Sequence, residues 1–211
     1  MQPQKSLTSD AVQYLHPMNY LAHLFLADKT SNSFLGSLMG DFVKGGIDSA
    51  MPTALRNAIV QHRRIDTFTD AHPVVKRSKN RIDPEFRRYA GILIDVFYDH
   101  FLATRWMDFN DQPLNTFTIE VYARLKQQRH LAPDRMQSTL SYMVDYDLLG
   151  SYQQDNGIHR ALHGIESRLK RPSKLNLAIV ELQRNRDELL TDFRYYFPAL
   201  IQFVINDSGA R

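Results

Sequence analysis

Three side chains that can bind a metal recur at every fourth position in one segment of the chain. They are His62, Asp66 and Asp70, within the sequence HRRIDTFTD of residues 62–70. In an α-helix these positions span only about 80° of the circumference, so all three side chains project from one face. Imidazole and carboxylate groups on one helix face can hold a divalent cation, which activates water and binds phosphate oxygens. The spacing therefore predicts one half of a metal site.

A second segment carries the same two residue types in an apolar setting. Asp95 and Asp99 lie one helical turn apart, and His100 follows directly, within the sequence DVFYDHF of residues 95–101. A carboxylate buried among valine and phenylalanine side chains is costly unless a charged partner compensates it. The pattern favours a divalent metal shared with the first segment, and a basic partner is the alternative.

Two further residues are candidates, and ordinary structural roles compete with metal binding for most of these groups. His23 is the inward polar candidate of an apolar segment, and Asp41 lies near a predicted helix C-terminus, where a carboxylate is electrostatically unfavourable. A single buried histidine is more often a hydrogen-bonded core residue. His62 and Asp66 could form only a surface pair, and Asp70 could simply be solvated.

The chain contains no cysteine, which excludes disulfides and thiolate-bound zinc or iron–sulfur clusters. Carboxylate and imidazole ligands suit Mn²⁺ or Mg²⁺, and imidazole favours Mn²⁺, Fe²⁺ or Zn²⁺ over Mg²⁺. Arg63 and Arg64 follow His62 and can bind a phosphate through their guanidinium forks. Neighbouring helical positions point about 100° apart, so we expect one of the two arginines to be solvated.

The segments that must position these residues have the pattern of helices. With 211 residues and 43% hydrophobic content, the chain is expected to form one domain, and no segment shows the alternation of a β-strand. We predict a single compact all-α bundle of about seven or eight helices over residues 18–211. Residues 1–17 are polar and aperiodic and are predicted to be an N-terminal extension. The absence of a long apolar run predicts no membrane span or signal peptide, which makes the cytoplasm the default location.

Proline and capping residues mark the predicted helix ends. Ser31 or Asn32 can cap the second helix. Pro52 suits the first position of the helix that carries His62. The predicted helices span residues 18–28, 31–43, 52–72, 83–110, 115–130, 133–150, 152–171 and from about 175 onwards, with a kink at Pro198.

Six basic residues cluster between the two candidate site segments. The net charge of the chain is +3, and this cluster makes its distribution uneven. Such a patch accelerates encounter with an acidic protein, and an ordinary solvated basic face is the alternative. No aromatic-interleaved motif or helix-turn-helix spacing supports nucleic-acid binding. The residues predicted to contact the partner are Lys76, Arg77, Lys79, Arg81, Arg87 and Arg88.

Four segments occur in order along the chain and carry a resemblance. They are MNYLAHLFLA (18–27), GSLMGDFVKG (36–45), HRRIDTFTD (62–70) and DVFYDHFLA (95–103). Together they resemble the acyl carrier protein phosphodiesterase family, also called ACP hydrolyase, and the similarity runs from Met18 to about Phe203. The family is a divergent relative of the HD phosphohydrolase superfamily, so the resemblance implies an HD-like fold.

The resemblance also implies a hydrolase that uses metal-activated water. Members of the family cleave the phosphodiester between 4′-phosphopantetheine and a serine of holo-acyl carrier protein, leave the apo-protein and typically use Mn²⁺. Acyl carrier proteins are small and acidic, in keeping with the basic cluster. The implied metal ligands are drawn from Asp41, His62, Asp66, Asp99 and His100. The implied groups for acid–base chemistry are His23, Asp95 and His100.

The resemblance departs from the standard HD pattern at its central doublet. Asp99 and His100 stand in the reverse order, and three residues separate His62 from Asp66. The coordination position of each residue and the number of ions are therefore left open. Two other functions also stay open at this point: a phosphohydrolase of nucleotides or other small phosphodiesters, and a metal-free helical binding protein for an acidic partner.

Overall fold

The computed structural model describes residues 20–167, 169 and 173–209 of the chain. Over these residues the regular structure is entirely helical, which confirms the predicted all-α class. The predicted extension, residues 1–17, lies outside the described residues. The α-helices are α1 (Tyr20–Phe25), α2 (Ser31–Met39), α3 (Thr53–Ala71), α4 (Pro73–Arg81), α5 (Ala90–Thr104), α6 (Leu114–Gln128), α7 (Asp134–Asp145), α8 (Leu148–Ser151), α9 (Asp155–Glu166), α10 (Ile179–Arg184) and α11 (Arg186–Gly209).

The described residues form more helices than the seven or eight predicted, because several predicted helices are interrupted and α4 occupies a basic segment for which no helix was predicted. The segment predicted as one helix over residues 83–110 consists of α5 flanked by the 3-10 helices Arg87–Tyr89 and Trp106–Asp108. The last predicted helix begins instead as a 3-10 turn, Leu175–Leu177, and continues as α10 and α11. Pro198 lies inside α11, where it removes one backbone N–H donor.

A left-handed residue divides the predicted helix over residues 133–150 into α7 and α8. Asp147 has φ of 45°, which is uncommon for a residue with a Cβ. Its side chain accepts the backbone N–H of Gly150 at 3.2 Å and caps α8. The hydroxyl of Tyr122 on α6 donates to the same carboxylate at 2.9 Å. Aspartate tolerates this conformation because its short side chain bonds the local backbone.

The ends of the helices around the candidate site follow capping rules. Thr30, rather than Ser31 or Asn32, caps α2: its Oγ1 accepts the backbone N–H of Ser33 at 3.1 Å. This helix ends at Met39, earlier than predicted. Pro52 and Pro73 precede α3 and begin α4, respectively, as their fixed φ favours.

Two glycines bring α2 against α3. Gly36 lies so close to α3 that an added Cβ would stand 2.7 Å from the carbonyl oxygen of Leu55. Gly40, which follows α2, faces the imidazole of His62, where an added Cβ would stand 2.1 Å from Cδ2. Because these positions are one helical turn apart, the backbone approaches α3 closely at two successive points where no side chain intervenes. The close approach places the end of α2 directly beside His62.

The buried face of α5 forms the centre of the core. Phe97 and Phe101 are almost fully buried, and the ring of Phe101 lies 6.0 Å from that of Phe193 on α11. Tyr98 contacts the same phenylalanine edge-on, at 5.4 Å between centroids. Aromatic pairs of this geometry add to the stabilisation that burial provides.

Trp106, the one tryptophan of the chain, packs between α1 and α6. Its ring lies 5.5 Å from that of Phe25 and 4.8 Å from that of Phe117. The indole Nε1 donates to the carbonyl oxygen of Gln112 at 2.7 Å. A helix as short as α1 has little stability of its own, so contacts of this kind hold it against the core. None of the described helices is both long and apolar enough to cross a membrane.

Candidate metal centre

Three side chains from two helices meet at the centre of the candidate site. His23 comes from α1, and His62 and Asp66 come from α3. Nε2 of His23 lies 3.1 Å from Oδ1 of Asp66, and Nε2 of His62 lies 3.1 Å from Oδ2 of the same carboxylate. The two imidazole rings stack, with centroids 4.0 Å apart and planes inclined by 19°. One carboxylate therefore bridges two nearly parallel imidazoles, and one potential ligand atom from each residue lies within 4.8 Å of the others.

Asp41 extends this cluster from the turn that follows α2. Its Oδ2 lies 3.5 Å from Nε2 of His62 and, although buried, makes no hydrogen bond with any residue that the structure describes. Nδ1 of His23 is also buried and likewise has no hydrogen-bond partner within the described ranges. Buried polar atoms without partners are rare in native proteins and call for a water, an ion or a functional role. Both atoms belong to the residues that the cluster would offer to a cation.

A backbone carbonyl sets the orientation of the His62 ring. Nδ1 of His62 donates to the carbonyl oxygen of Ser37 on α2 at 2.7 Å, and the residue is only 2% exposed. With Nδ1 held in this way, Nε2 faces Asp66 and Asp41, and it presents a lone pair once the charged ring gives up its Nε2 proton. Metal-binding histidines commonly have their second nitrogen held in this way. The structure thus prepares Nε2 of His62 as a ligand atom.

The carboxylates and imidazoles perturb one another strongly. Burial disfavours charge on His62, but the carboxylates of Asp41 and Asp66 outweigh it and raise the pKa of His62 to about 10. Burial would raise the pKa of Asp66, yet its hydrogen bonds with His23 and His62 hold that pKa well below its usual value. The pKa of His23 is lowered, first by burial and then by His62. The two carboxylates therefore stabilise positive charge at the centre of the cluster.

The cluster opens to solvent on the side of its carboxylates. The side chains of His23 and His62 are each 1% exposed, whereas those of Asp66 and Asp41 are 45% and 18% exposed. The imidazoles form a buried floor, and a ligand can approach from the carboxylate side. Imidazole nitrogens and carboxylate oxygens together suit Mn²⁺, Fe²⁺ or Zn²⁺. The residues present therefore fit the predicted divalent metal.

Asp99, which the sequence suggested as a ligand, does not join the cluster. Its Oδ2 accepts the backbone N–H of Leu21 at 2.8 Å, and its Oδ1 accepts that of Ala22 at 2.9 Å. N–H groups in the first turn of a helix have no partner within the helix, so Asp99 supplies one for α1. Burial raises the pKa of Asp99 to about 8, and the two N–H donors act in the opposite direction. The carboxylate therefore holds the helix that carries His23, and ligation of a metal by Asp99 stays a prediction.

His100 also lies outside the cluster, and both its ring nitrogens are engaged. Nδ1 donates to the carbonyl oxygen of Tyr152 at 2.8 Å, and Nε2 lies 3.2 Å from Nη1 of Arg186. Because a guanidinium can only donate, Nε2 is the acceptor and the ring is neutral. Burial lowers the pKa of His100, in keeping with this state. In this structure the residue connects α5 to the start of α11, and its role in metal binding or proton transfer stays a prediction.

Asp95 lies beside the cluster rather than within it. This residue of α5 is half-buried. Burial raises its pKa well above the usual value, and the charge of Asp66 raises that pKa further. The carboxyl group of Asp95 therefore favours its protonated form close to the ligands.

Asp70, the third residue of the four-residue repeat, points into solvent. Its side chain is 75% exposed and accepts a hydrogen bond from Nζ of Lys79 on α4 at 2.7 Å. The spacing therefore identified the helix face correctly for His62 and Asp66, but it does not extend the cluster to the last turn of α3. Because α4 begins directly after α3, its residue Lys79 lies close enough to bind the carboxylate of Asp70 instead.

The two arginines that follow His62 donate hydrogen bonds within the protein. Nη2 of Arg63 donates to the carbonyl oxygen of Val43 at 2.8 Å. Nη1 of Arg64 pairs with Asp207 on α11. The contacts of Arg63 and Arg64 with a phosphate stay predictions.

Two members of the predicted partner-binding cluster anchor α4 to α11. Arg77 and Arg81 both donate to the carboxylate of Asp192, at 2.6 Å and 3.1 Å. The hydroxyl of Ser78 donates to it at 2.8 Å. Asp192 is buried, which raises its pKa, but these donors outweigh burial and lower it. Removal of either arginine would leave a buried charge poorly compensated, so both have a structural role.

The remaining members of this cluster differ in how far they are engaged. Arg87 donates to the carbonyl oxygens of Ile82 and Asn80, at 3.1 Å and 3.2 Å. Lys76 and Arg88 are exposed, and the described part of the chain provides neither with an ion pair. The side chains that are freest to meet an acidic partner are therefore Lys76 and Arg88.

Sequence reasoning missed two residues that shape the site. Ser37 acts through its carbonyl oxygen, which any residue type could supply, so no side-chain pattern could reveal it. Gly40 leaves room for the His62 ring because it has no Cβ. The signal for Gly40 was the spacing of two glycines four positions apart in GSLMG, which is typical of close helix packing.

Comparisons with known proteins find relatives over most of the chain. Residues 18–200 match the family described as acyl carrier protein phosphodiesterase. A protein of that name from Enterobacter sp. (strain 638) is 35% identical to this chain over 87% of its length. One from Serratia proteamaculans (strain 568) is 34% identical over 88% of the chain, and each match covers 96% of the relative. The protein of that name from Escherichia coli O127:H6 is 35% identical over 88% of the chain. No solved structure matches the chain, and the likeness to the HD fold stays a prediction.

Proposed function

The chain belongs to the acyl carrier protein phosphodiesterase family, and we propose that it hydrolyses the bond between 4′-phosphopantetheine and the serine of holo-acyl carrier protein. The products are 4′-phosphopantetheine and the apo-protein. The observation that carries the proposal is the cluster of His23, His62 and Asp66, whose ligand atoms converge at the solvent-facing end of a buried pair of imidazoles. The relatives that bear this name support the substrate.

We propose Mn²⁺ as the cofactor, with Mg²⁺ and Fe²⁺ as alternatives. His23, His62 and Asp66 would hold it, with Asp41 as the fourth protein ligand. When bound, such an ion lowers the pKa of a coordinated water and polarises a phosphate oxygen. Two carboxylates that already raise the pKa of His62 support a preference for a cation here.

Proton transfer and the exclusion of solvent are assigned to residues of the chain. In the proposed reaction, the oxygen of water bonds to phosphorus and releases one proton to the solvent. The bond from phosphorus to the serine oxygen breaks, and that oxygen takes up one proton. We propose that the carboxyl group of Asp95 donates this proton and regains one from the solvent, because burial and the charge of Asp66 raise its pKa well above the usual value. The buried imidazoles of His23 and His62 confine solvent to the carboxylate side, from which the phosphodiester enters.

The partner surface is proposed to include the exposed side of α4 and the following 3-10 helix. Lys76 and Arg88 are exposed there, while Lys79 pairs with Asp70 one turn beyond Asp66. This surface therefore lies beside α3, which carries two of the ligands. Positive charge at this place would attract an acidic carrier protein and orient it towards the cluster.

One assay tests the proposed reaction directly. The full chain is incubated with holo-acyl carrier protein and Mn²⁺, and the mass of the carrier protein is followed for loss of the phosphopantetheine group. His62→Ala and Asp66→Ala should abolish this loss while the helical circular dichroism persists. His159→Ala, which changes an exposed histidine on α9, is the matched control and should retain full activity.

Three other outcomes would contradict the proposal in different ways. Near-normal turnover by both cluster variants would remove the cluster from the reaction. Turnover of free nucleotides without turnover of holo-acyl carrier protein would favour a phosphohydrolase of small substrates. Absence of metal by elemental analysis, together with binding but no cleavage of the carrier protein, would favour a helical binding protein.

A further inference from the structure

Asp41 lies in a turn that no helix contains. The turn follows α2, and the backbone N–H groups of Phe42 and Val43 both donate to the carbonyl oxygen of Met39 at 2.9 Å. Beyond Val43 the chain runs without regular structure to α3. The carboxylate of Asp41 nevertheless lies at a defined place, with Oδ2 buried 3.5 Å from Nε2 of His62. Contacts from outside the turn must therefore hold it there.

Three contacts can hold this turn, and two of them come from α3. Gly40 lies against the imidazole of His62, and Phe42 is buried in the core. Nη2 of Arg63 donates to the carbonyl oxygen of Val43 at 2.8 Å. The guanidinium contact is the hydrogen bond that ties the far side of the turn to α3.

Adjacent residues of α3 thus reach both ends of one short segment. The imidazole of His62 approaches the carboxylate of Asp41, and the guanidinium of Arg63 binds the carbonyl of Val43, two residues further on. Because His62 and Arg63 share one helix, any shift of the turn relative to α3 would have to stretch the guanidinium contact. A donor group with several fixed N–H bonds, such as guanidinium, is well suited to hold a carbonyl in place.

We propose that Arg63 is a positioning residue that fixes the Asp41 turn against α3, so that Asp41 stands ready as a metal ligand beside His62. This inference rests on the proposed function, because it assigns Asp41 to the metal. It gives Arg63 a role other than contact with the phosphate. Loss of residues that orient metal ligands usually weakens metal binding by about tenfold or more.

The test measures Mn²⁺ binding without any substrate. The electron paramagnetic resonance signal of free Mn²⁺ is titrated with the full chain and with Arg63→Met, which keeps the apolar stem but removes every donor. We expect Arg63→Met to bind Mn²⁺ about tenfold more weakly, and Arg63→Lys, which keeps a donor, to recover most of the affinity. Arg64→Met, which breaks only the pair with Asp207, is the matched control and should bind as the unchanged chain does.

A double-mutant cycle separates positioning from an independent effect. Because Arg63 is proposed to act through Asp41, Arg63→Met should weaken Mn²⁺ binding much less when Asp41→Asn is already present. Equal effects in both backgrounds would overturn the inference. Unchanged Mn²⁺ binding by Arg63→Met, with a raised KM for holo-acyl carrier protein, would also overturn it and indicate a phosphate contact.

Hydrogen exchange distinguishes failure of the inference from failure of the proposed function. The peptide that covers residues 40–46 should exchange faster in Arg63→Met than in the unchanged chain or in Arg64→Met. If the unchanged chain binds no Mn²⁺, the proposed metal is wrong, and the exchange rates still decide whether Arg63 holds the turn. Equal exchange rates in all three proteins would show that it does not.

Discussion

The His62 ring is held by contacts at both of its nitrogens and at one face. Nδ1 donates to the carbonyl oxygen of Ser37, Nε2 faces two carboxylates, and the ring lies 4.0 Å from that of His23. A ligand whose orientation is already fixed loses little conformational freedom when an ion binds. At the scale of single residues, the site therefore resembles a preorganised ligand set, and its supporting contacts are as informative as the ligands.

Asp99 gives a prediction that separates a cap from a ligand. Asp99→Asn would turn an amide NH₂ towards one of the two backbone N–H groups of Leu21 and Ala22 and leave it without an acceptor. A buried donor without a partner costs about 1–3 kcal/mol, so the free energy of unfolding without added metal should fall by about that amount. Urea denaturation followed by circular dichroism measures it.

The matched control for this substitution is Asp108→Asn, at an exposed position. Exposed substitutions of this kind usually change stability by less than about 0.5 kcal/mol. If Asp99→Asn were equally harmless without metal but abolished Mn²⁺ binding, Asp99 would be a ligand after all.

His100 gives a prediction about pH. Burial lowers its pKa in the folded protein, whereas a histidine in the unfolded chain titrates near 6.5. Between these two values the unfolded chain binds more protons, so stability is full above about pH 6.5 and is lost as the pH falls below it. The melting temperature should therefore fall more between pH 7.5 and 5.5 in the unchanged chain than in His100→Asn, whose amide can still donate to Tyr152. Equal falls in both proteins would show that His100 titrates normally.

At the scale of helices, the pair α2 and α3 is the frame of the site. Gly36 and Gly40 remove the side chains that would separate the two helices, and α3 then carries His62, Asp66 and Arg63 along the contact. The geometry of the candidate ligands consequently depends on a packing distance between two helices. A change in that distance would displace the imidazole of His62.

Gly40→Ala tests this dependence. The added Cβ would stand 2.1 Å from Cδ2 and 2.2 Å from Cγ of His62, a distance that forces the ring or the helix to move. We expect Mn²⁺ affinity to fall more than tenfold and stability to fall by about 1–3 kcal/mol, as for other overpacked sites. Calorimetric titration with Mn²⁺ and thermal unfolding measure the two effects.

Gly91→Ala is the control for the added methyl group. Its Cβ would meet Lys79 no closer than 3.8 Å, and in α5 alanine favours the helix over glycine by up to about 1 kcal/mol. This variant should be neutral or slightly more stable. Equal Mn²⁺ binding by Gly40→Ala and Gly91→Ala would contradict the proposed dependence on helix packing.

The helices themselves were predictable where local rules are strong. Pro52 and Pro73 bracket α3 as expected, and the four-residue spacing of His62 and Asp66 correctly placed both on one face. The boundary between α7 and α8 was not predictable, because the left-handed Asp147 that caps α8 also depends on a hydrogen bond from Tyr122 on α6.

The same limit explains the outcome for the second site segment. A buried aspartate in an apolar helix needs a partner, and the sequence pattern cannot tell a metal from the N–H groups of another helix. The carboxylate of Asp99 accepts the backbone N–H groups of Leu21 and Ala22, which lie far away in the chain. The ring nitrogens of His100 likewise bind the carbonyl oxygen of Tyr152 and the guanidinium of Arg186. The type of partner depends on tertiary packing, which the residue spacing does not contain.

At the scale of the whole molecule, the basic residues divide into structural and available charges. Arg77 and Arg81 neutralise the buried Asp192 and connect α4 to α11. Lys76 and Arg88 lie exposed in the same part of the chain. An acidic partner would therefore meet positive charges that form no ion pair within the described part of the chain.

Lys76→Glu combined with Arg88→Glu tests whether these charges serve docking. We expect kcat/KM for holo-acyl carrier protein to fall by about tenfold or more and to depend less on salt, because electrostatic steering is lost. Hydrolysis of a small probe without an acidic protein surface, such as a nitrophenyl phosphodiester, should change much less. The matched control, Lys126→Glu combined with Arg135→Glu, reverses the same number of basic residues at exposed positions on α6 and α7. A similar loss in the control would indicate a general effect of net charge rather than a docking surface.

Trp106 gives the whole molecule an optical reporter of its own. Its indole lies against Phe25, two residues beyond His23 on α1, and no other tryptophan contributes to the emission of the chain. Undocking of α1 would expose the indole to water and shift its fluorescence to longer wavelength. The docking of α1, the helix that carries His23, can therefore be followed during refolding by stopped-flow fluorescence without attaching any dye.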